Sequence, residues 1–597
     1  MKAINIEENK DITALTTFGI PAKARYYAEY GSEEELLRIS RTETFLNNEV
    51  LNLGGGSNLL FMHDYDGLVL HSRIDGIVRY DKNPETVYVI AGAGLVWDKF
   101  VDWCVEHGLG GVENMAGIPG TVGASAVQNV GAYGAEAKDV VYSVECFDTL
   151  TRRSRRFTNA ECRFGYRDSF FKHAGKERYI VMRVCFRLNP SDRAANLEYG
   201  LLRDLRDRLG HEPTIREVSE EIRRIRNEKL PDPAVTGSAG SFFKNPVIGL
   251  KHYESLCIQT GERISAHPVD ENHMKLSAAW LIDHAGMKGY RSGGASVWDK
   301  QPLVIVNTGN ATARDVADVA EAVRSAVRRR YHVDLKPEVN YIDTTIKVTV
   351  LGSGTSKGVP EVGCECDTCR STDPHDKRTR ASVLVQTHGM SLLIDAGPDF
   401  RQQALHNHIM DVDAVLITHT HFDHIGGIED LRPFCAYGDL PLYVRKDVDT
   451  SLRQRLAYCF QDNPYPGVPK FDMRVIDNYP FFINGLKIEP VEVLHGSKPI
   501  FGYRIGDFAY ITDAKHIDDR EKEKLTGLRV LIVNALRDQD HFAHFTIREA
   551  LDLVEELKPE KVFLTHMNHD AGTHNELDSR LPDNVYPAYD GLVIEID

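Results

Sequence analysis

The sequence is poor in cysteine, has no long hydrophobic run and carries more acidic than basic residues. Ten cysteines in 597 residues are too few for a disulfide scaffold, and no segment approaches the ~20 apolar residues of a membrane-spanning helix. The first residues, MKAINIEENKDITALTT, lack the apolar core of a secretory signal. We therefore expect a cytoplasmic protein with no membrane partner.

The charge balance argues against nucleic acid as a partner. The formal net charge is −16, whereas attraction to a phosphate backbone requires clustered positive charge. Two basic runs are present, RRSRR at 152–156 and RRR at 328–330. We interpret both as solvated charges, the first in a hairpin and the second at a helix end, where cations complement the helix dipole.

The cysteines are distributed unevenly along the chain. Seven occur singly and are expected to be buried thiols in a reducing compartment. The other three crowd into GCECDTC at 363–369, as Cys364, Cys366 and Cys369. A closed structural zinc site needs four ligands, and His569 in HMNH is the candidate for the fourth.

The length predicts three or four domains, because a domain usually takes ~100–200 residues. A charged, strongly helical stretch covers 201–230, and Val and Ala at helical spacing predict an amphipathic helix over 311–330. KPEVNYIDTT at 336–345 interrupts that pattern, and a new strand is expected from Ile346. We place the domain limits at 1–200, 201–343 and 344–597.

Two glycine-rich segments in the first half predict a ligand site. GGGSN at 54–58 follows a strand and leaves bare backbone N–H groups that can converge on a phosphate, although a plain tight turn fits it equally well. GIPGTVGASAVQNVGAYG at 117–134 makes a poor helix or strand, and close approach to a large flat ligand explains it better. The candidate binding residues are Gly54, Gly55, Gly56, Ser57, Asn58, Gly117, Ile118, Pro119, Gly120, Gly123, Ala124, Gln128, Asn129, Gly131, Ala132, Tyr133 and Gly134.

Three polar residues in the first half are candidates for chemistry. Arg167 lies in FGYRDSFF, Ser241 in GSAGSFFKNP and Glu338 in KPEVN. Taken singly, each has an ordinary structural interpretation, as an ion pair, a helix cap and a surface carboxylate, because most polar residues serve solvation or capping.

Taken together, these motifs point to one family. GGGSN, GIPGTVGASAVQNVGAYG, FGYRDS, KLPDP, AGSFFKNP and PEV resemble, in order and spacing, the UDP-N-acetylenolpyruvoylglucosamine reductases of peptidoglycan synthesis over residues 1–343. The resemblance implies an α+β enzyme with FAD bound by two subdomains within 1–200 and a UDP-sugar domain at 201–343. NADPH would reduce the FAD, and UDP-N-acetylenolpyruvoylglucosamine would then be reduced to UDP-N-acetylmuramate.

The resemblance also implies residue roles. Arg167 and Glu338 would polarise the substrate carboxylate, and Ser241 would deliver the proton. Further substrate-binding candidates are Tyr199, Lys229 and Asn245. His284 stands where an amide is expected and receives no role. A generic FAD oxidoreductase and an inactive flavin-binding module remain as alternatives.

The second half contains a dense cluster of metal-ligand residues. THTHFDHIGG at 418–427 follows the apolar run AVLI, and burying so many imidazoles and carboxylates is costly without a cation. Single histidines or aspartates follow later apolar strands in VLHG, YITDAK and LTHMNH. The candidate metal ligands are His419, His421, Asp423, His424, His495, Asp513 and His566.

This pattern resembles the metallo-β-lactamase fold, an αββα sandwich that holds two divalent metal ions, here zinc or manganese. By the resemblance, one ion is bound by His419, His421 and His495, and Asp513 bridges the two ions. The other ion would be bound by Asp423, His424 and His566. Paired ions generate hydroxide and clamp the oxygens of a phosphoester.

The CxCxxC motif, with GSGTSKGVP before it, resembles the phosphoribosyl cyclic-phosphodiesterase branch of that fold. The resemblance implies one structural zinc and a small phosphodiester substrate, a cyclic phosphate or a nucleotide. In HFAHFTIREAL at 541–551, His544 rather than His541 is expected to act as acid on the leaving oxygen. A tRNA 3′-processing nuclease, a thioester hydrolase and a non-catalytic domain remain as alternatives; the nuclease normally carries a basic arm, and none is seen between 425 and 495.

Overall fold

The computed structural model describes residues 4–596 except 84, 174, 177, 192–195, 201, 344, 462–464, 466 and 485. The chain forms two compact units, Met1–Ile342 and Asp343–Asp597, which are described separately. Within the described residues, no helix is both long enough and apolar enough to cross a membrane. The expected limits at 200/201 and 343/344 involve Leu201 and Thr344, which lie outside the described residues, so these limits stay predictions.

The first unit is built on several small sheets. A four-stranded sheet has, in spatial order, the strands Glu7–Asp11, Lys23–Tyr30, Tyr65–Ser72 and Val50–Leu53. An antiparallel sheet has the strands Arg153–Thr158, Val141–Asp148, Tyr179–Pro190, Thr86–Gly92 and Ile77–Asn83, with Leu109–Gly110 paired to Tyr179–Pro190. The RRSRR run lies in the expected hairpin of this sheet.

The remaining strands of the first unit form shorter sheets. Their strands, grouped by sheet, are Gly237–Ser241, Val304–Asn307, Ala295–Val297 and Arg291–Ser292; Val247–Gly249, His273–Leu276 and Ala266–Pro268; Ala135–Glu136 and Gly131–Ala132; and Asn340–Ile342 with Leu59–Phe61. The last pair is parallel, with Asn340 opposite Leu59. It therefore brings the PEVN segment next to the GGGSN turn.

The helices of the first unit include ten α-helices within the described residues. They are Glu33–Ile39, Glu43–Asn47, Trp97–Glu106, Val122–Gln128, Ala137–Val140, Leu205–Leu209, Ile215–Lys229, Leu250–Thr260, Ala278–His284 and Ala313–Tyr331. Short 3-10 helices span Thr13–Leu15, Glu113–Met115 and Phe170–Lys172.

Three details differ from the sequence-based expectations. The stretch 201–230 holds two helices, because Gly210 ends the first in a left-handed conformation and Thr214 caps the second. In the RRR run, Arg328 is buried and pairs with Asp334 at 2.7 Å, so it is not a solvated charge. Three of the single cysteines are only half-buried, namely Cys185, Cys257 and Cys459, whereas Cys104, Cys146, Cys162 and Cys435 are buried as expected.

The second unit consists of two sheets packed face to face. The first has the strand order Phe471–Val475, Leu440–Val444, Ala414–Leu416, Met390–Ile394, Ser382–Thr387, Ile346–Gly352 and Val593–Ile596. The second has the order Phe481–Ile483, Leu486–His495, Lys498–Ile505, Phe508–Ile511, Val530–Asn534, Lys561–Thr565 and Val585–Pro587. Side chains of both sheets, among them Val348, Leu392, Tyr503 and Phe508, share one core.

Helices cover the outer faces, which completes the αββα sandwich implied by the sequence. Phe400 and Leu452 pack against the first sheet, and Ile547 and Leu553 against the second. The α-helices are Asp367–Arg370, Phe400–His406, Phe422–Ile425, Lys446–Arg455, Asp519–Glu523, Ile547–Leu557 and His574–Asp578. The 3-10 helices are Pro374–Asp376, Ile428–Tyr437, Ala457–Phe460 and His569–Ala571.

Candidate active sites and metal centres

The two glycine-rich segments of the first unit lie against each other. A Cβ added to Gly55 would come within 2.7 Å of the Gly120 Cα atom, and the Ser57 hydroxyl donates to the Pro119 carbonyl at 3.3 Å. A side chain at Gly55 would therefore collide with the neighbouring backbone. This bare, closely packed backbone suits a cradle for a phosphate-bearing cofactor.

The glycine-rich segment 117–134 runs from this contact towards the loop of Arg167. Thr121 caps the helix Val122–Gln128, and Asn129, in a left-handed conformation, ends it. The Asn129 side-chain amide donates to the Gly165 carbonyl at 2.7 Å, two residues before Arg167. The turn at 131–134 pairs Gly131 and Ala132 with the strand Ala135–Glu136. The predicted cradle residues lie in these turns and in this helix.

The structure brings Arg167 and Glu338 together. Arg167 Nε lies 2.9 Å from Glu338 Oε1, and the two side chains are only 21% and 12% exposed. The Arg167 guanidinium also donates through Nη2 to the Gly131 carbonyl at 2.7 Å. Arg167 has a φ of +54°, which is uncommon for a residue other than glycine and is typical of functional loops.

Ser241 ends the strand beside Glu338. The Glu338 N–H donates to the carbonyl of Phe242 at 2.7 Å, so Ser241 is one residue from the bond that fixes the Glu338 backbone. Asn58 of the GGGSN turn donates to the Glu338 carbonyl at 3.1 Å. The glycine cradle, the arginine, the serine and the glutamate thus form one site.

The other substrate candidates occupy varied positions around the first unit. Tyr199 is 45% exposed, and its ring centroid lies 5.6 Å from that of Tyr133. The Asn245 side-chain oxygen accepts from the Ala278 N–H at 2.9 Å. Lys229 is exposed at the end of its helix. His284 is also exposed, and its ring stacks on that of Trp280 in the same helix.

Sequence reasoning missed Lys172, which is half-buried and contacts this site. Its amino group donates to the Gln128 side-chain oxygen at 2.8 Å, and the Gln128 amide nitrogen donates to Glu338 Oε1 at 3.2 Å. Lys172 stands in the partly apolar run SFFKHAG. A charge inside such a run is the signal that could have identified it.

In the second unit, the predicted metal ligands converge in two overlapping groups. Within each group the donor atoms all lie within 4.8 Å of one another. Asp513 belongs to both groups, and the other members are His419, His421 and His495 in one and Asp423, His424 and His566 in the other. This is the division that the resemblance to the metallo-β-lactamase fold implies for two ions with a shared carboxylate.

The fold explains this convergence. The strands Phe508–Ile511, Val530–Asn534 and Lys561–Thr565 are parallel, so the residues after their carboxyl ends meet at one edge. Asp513 and His566 lie there, both with positive φ. The strand before the histidine motif ends at Leu416, so His419 stands in the following loop rather than on the strand end.

Neighbouring groups orient the imidazoles. His424 Nδ1 lies 2.6 Å from Asp395 Oδ2, and Asp395 also accepts from the Thr418 N–H and hydroxyl. His495 Nδ1 lies 2.8 Å from the Ala543 carbonyl. Such contacts fix the ring so that the other nitrogen can face a metal.

The donor set fits a pair of cations. The buried Nε2 atom of His424 has no hydrogen-bond partner among the described residues, although it lies 3.1 Å from Asp513 Oδ2. Burial opposes ionisation of Asp513, but His566 and His424 outweigh it and hold its pKa well below the usual range. A buried carboxylate kept anionic between imidazoles is the environment that a divalent ion requires.

The candidate acid His544 borders this cluster. Its Nδ1 atom lies 3.5 Å from Asp513 Oδ1, and its ring stacks on that of His566 at 4.8 Å. Burial is the largest influence that lowers the pKa of His544, to about 3. The imidazole is therefore neutral at neutral pH in the free protein.

A separate cluster unites the three crowded cysteines with the predicted fourth ligand. The donor atoms of Cys364, Cys366, Cys369 and His569 lie within 4.8 Å of one another. Burial opposes the Cys366 thiolate, but the Cys369 N–H and His569 outweigh it and lower its pKa to about 7. Three sulfurs and one imidazole nitrogen fit a closed tetrahedral zinc site.

Comparison with known proteins identifies the family of the first unit. The model of the UDP-N-acetylenolpyruvoylglucosamine reductase C-terminal domain matches residues 232–342, and that of the FAD binding domain matches residues 24–150. The reductase of Neisseria gonorrhoeae is 45% identical over 345 residues, which cover 58% of this chain and 99% of the relative. The chain belongs to the UDP-N-acetylenolpyruvoylglucosamine reductase family. We call Met1–Ile342 the reductase unit.

Other relatives and structures extend this finding. The reductase of Bacteroides fragilis is 42% identical over 338 residues, covering 56% of this chain and all of the relative. The reductase structure from Thermus caldophilus is 24% identical and covers 57% of this chain and 99% of its own, with a TM-score of 0.40. The two family models and the two relatives confirm the FAD-binding domain and the reductase family inferred from the motifs.

The second unit has its own matches. The model of the Beta-lactamase superfamily domain matches residues 391–567. A diphosphatase of the PhnP family is 40% identical and covers 43% of this chain and 98% of its own, with a TM-score of 0.40. The family model, together with the two packed sheets, confirms the metallo-β-lactamase fold inferred from the histidine motif, and we call Asp343–Asp597 the metallo-β-lactamase unit.

The cysteine cluster yields a testable prediction. Changing Cys366→Ser removes one of four soft ligands, so the purified protein should lose about one equivalent of zinc, because structural zinc needs all four positions. Cys459→Ser, in the same unit but outside the cluster, is the matched control. The zinc content per chain is measured by inductively coupled plasma mass spectrometry. Equal zinc in the two variants would contradict the assignment.

Proposed function

We propose that the chain is a bifunctional enzyme. The reductase unit reduces UDP-N-acetylenolpyruvoylglucosamine to UDP-N-acetylmuramate with NADPH and FAD. The metallo-β-lactamase unit hydrolyses a small phosphodiester, a cyclic phosphate or a nucleotide, with two divalent metal ions. The observation that carries the first activity is the half-buried Arg167–Glu338 pair, which lies beside Ser241 and the glycine cradle.

The reductase residues have distinct tasks. FAD, when bound, supplies the hydride, because no side chain can carry one. Arg167 offers its guanidinium to the substrate carboxylate, and Glu338 holds that guanidinium in place from 2.9 Å. As negative charge develops next to the substrate carboxylate, Arg167 stabilises it electrostatically, and burial strengthens that effect. The hydroxyl of Ser241 donates its proton to the carbon that bears this negative charge, which is the neighbour of the carbon that takes the hydride, and the C=C bond is thereby reduced.

A serine variant separates the two half-reactions. Ser241→Ala keeps the cradle and the arginine, so NADPH should still bleach the flavin. Reoxidation by UDP-N-acetylenolpyruvoylglucosamine should slow by ~10²–10⁴-fold, the usual contribution of a positioned acid. Flavin absorbance in an anaerobic stopped-flow instrument measures both steps. Ser238→Ala on the same strand is the control, and fast reoxidation of Ser241→Ala would refute the role.

The metal cluster supports the hydrolase proposal. The two ions, when bound, activate water and stabilise the oxygens of the attacked phosphoester. The chain also places a positively charged side chain beside the cluster. Lys498 lies opposite His495 in the antiparallel register, and its amino group donates to the Thr420 hydroxyl at 3.1 Å. Thr420 lies between two predicted ligands. A lysine there suits an anionic substrate, and a neutral thioester would not need it.

His544 is proposed as the proton donor to the leaving oxygen. In the free protein its pKa of about 3 leaves it neutral, so it must gain its proton in the substrate complex. An anionic phosphoester beside the ring favours the imidazolium and raises that pKa. The stack on His566 holds the ring at the edge of the cluster.

A metal-ligand variant tests the second activity independently. Wild-type protein should hydrolyse bis-p-nitrophenyl phosphate when Mn²⁺ or Zn²⁺ is supplied, and Asp423→Ala should fall to background, because one ion loses its carboxylate ligand. Asp430→Ala, an exposed aspartate seven residues on, is the control. Reduction by the reductase unit should be unchanged in both variants. A wild-type protein without metal-dependent turnover would disprove the phosphodiesterase.

A further inference from the structure

We propose that Lys172 is a positioning residue of the reductase unit, which orients the Gln128 amide and, through it, the carboxylate of Glu338. The inference rests on the proposed role of Glu338. It concerns a residue outside the motifs that carry the family resemblance.

Lys172 is held in place by contacts of its short helix with the helix that carries Gln128. It ends the short helix Phe170–Lys172, which Ser169 caps. The Ser169 hydroxyl donates to the Val127 carbonyl at 2.6 Å, one residue before Gln128. The helix carrying Lys172 is therefore tied to the end of the helix carrying Gln128, and the two side chains meet at 2.8 Å.

The chemistry of the ammonium group fixes the orientation of the amide. An ammonium can only donate, so Gln128 must turn its oxygen towards Lys172. Its NH₂ group then faces Glu338 and donates to Oε1 at 3.2 Å. The same carboxylate oxygen lies 2.9 Å from Arg167 Nε. Lys172 and Glu338 thus hold the amide between them in one orientation.

Without Lys172 the amide oxygen loses its donor, and only the contact with the Glu338 carboxylate holds the Gln128 side chain. An unpaired amide oxygen in this half-buried place is costly, so the side chain is expected to turn towards water. Glu338 would then lose the amide that holds it beside Arg167. A second contact, from Lys172 Nζ to the Arg167 carbonyl at 3.4 Å, would be lost as well.

The charge of Lys172 is present at neutral pH but not far above it. Burial, the largest influence, and the nearby Lys244 lower the pKa of Lys172 to about 8. The protonated form does the orienting, so its effect is complete below that pKa and fades as the pH rises through it. The charged and titratable groups around the ammonium are Lys244, Asp168, Glu338, Lys176, Arg167 and His173.

A double-mutant cycle tests the inference in the FAD-loaded full-length protein. Lys172→Met and Gln128→Leu should each slow flavin reoxidation by UDP-N-acetylenolpyruvoylglucosamine by ~10-fold or more. The double variant should be no slower than the slower single variant. Both changes remove the same chain of hydrogen bonds, and the effects of residues in one hydrogen-bond network do not add. Lys99→Met, at an exposed lysine of the reductase unit outside the group around Lys172, should match the wild type. Lys172→Gln, whose amide cannot enforce one orientation, replaces Lys172→Met if that variant does not fold.

Two further readouts separate positioning from a merely structural role. The wild-type reoxidation rate should fall as the pH rises through about 8, and this limb should be absent from Lys172→Met. A crystal structure of Lys172→Met should show Glu338 displaced from Gln128. Additive single effects, a retained pH limb or a wild-type rate in Lys172→Met would overturn the inference. A wild-type protein that the UDP-sugar does not reoxidise would instead refute the proposed reductase function.

Discussion

The proposed reductase site is organised around the ion pair between Glu338 and Arg167, which is largely shielded from water. Glu338 is 12% exposed and faces Arg167 at 2.9 Å. Burying either charge alone would be costly, and removing one partner of such a pair leaves the other uncompensated. Several segments converge on Glu338: the GGGSN turn through Asn58, the residue after the strand Gly237–Ser241 through the Phe242 carbonyl, and the helix Val122–Gln128 through Gln128.

The metallo-β-lactamase unit follows the same constraint with a different solution. Asp513 is buried and is shared by two groups of imidazole and carboxylate donors. Here the compensating charge is proposed to come from two cations rather than from an arginine. In each unit, a carboxylate that is largely shielded from water lies at the centre of the proposed site, where electrostatic effects are strong.

Much of both sites could be predicted from short motifs. The HxHxDH motif places four candidate metal ligands within six residues. Asp513 and His566 follow parallel strands that bring them to one edge, whereas His495 ends a strand that pairs antiparallel with Lys498–Ile505. Asp395, by contrast, orients His424 from 29 residues earlier and belongs to no motif. Arg328 was wrongly interpreted as solvated, because its burial against Asp334 depends on how the helix end folds back.

The most direct test of this account is an anaerobic single turnover of the purified wild-type protein, followed by flavin absorbance. We expect bound flavin that NADPH bleaches and that UDP-N-acetylenolpyruvoylglucosamine, but not the UDP-sugar lacking the enolpyruvyl group, returns to the oxidised form. A protein without flavin, or reoxidation that is equally slow with either sugar, would contradict the central claim that the Arg167–Glu338 site is a working reductase.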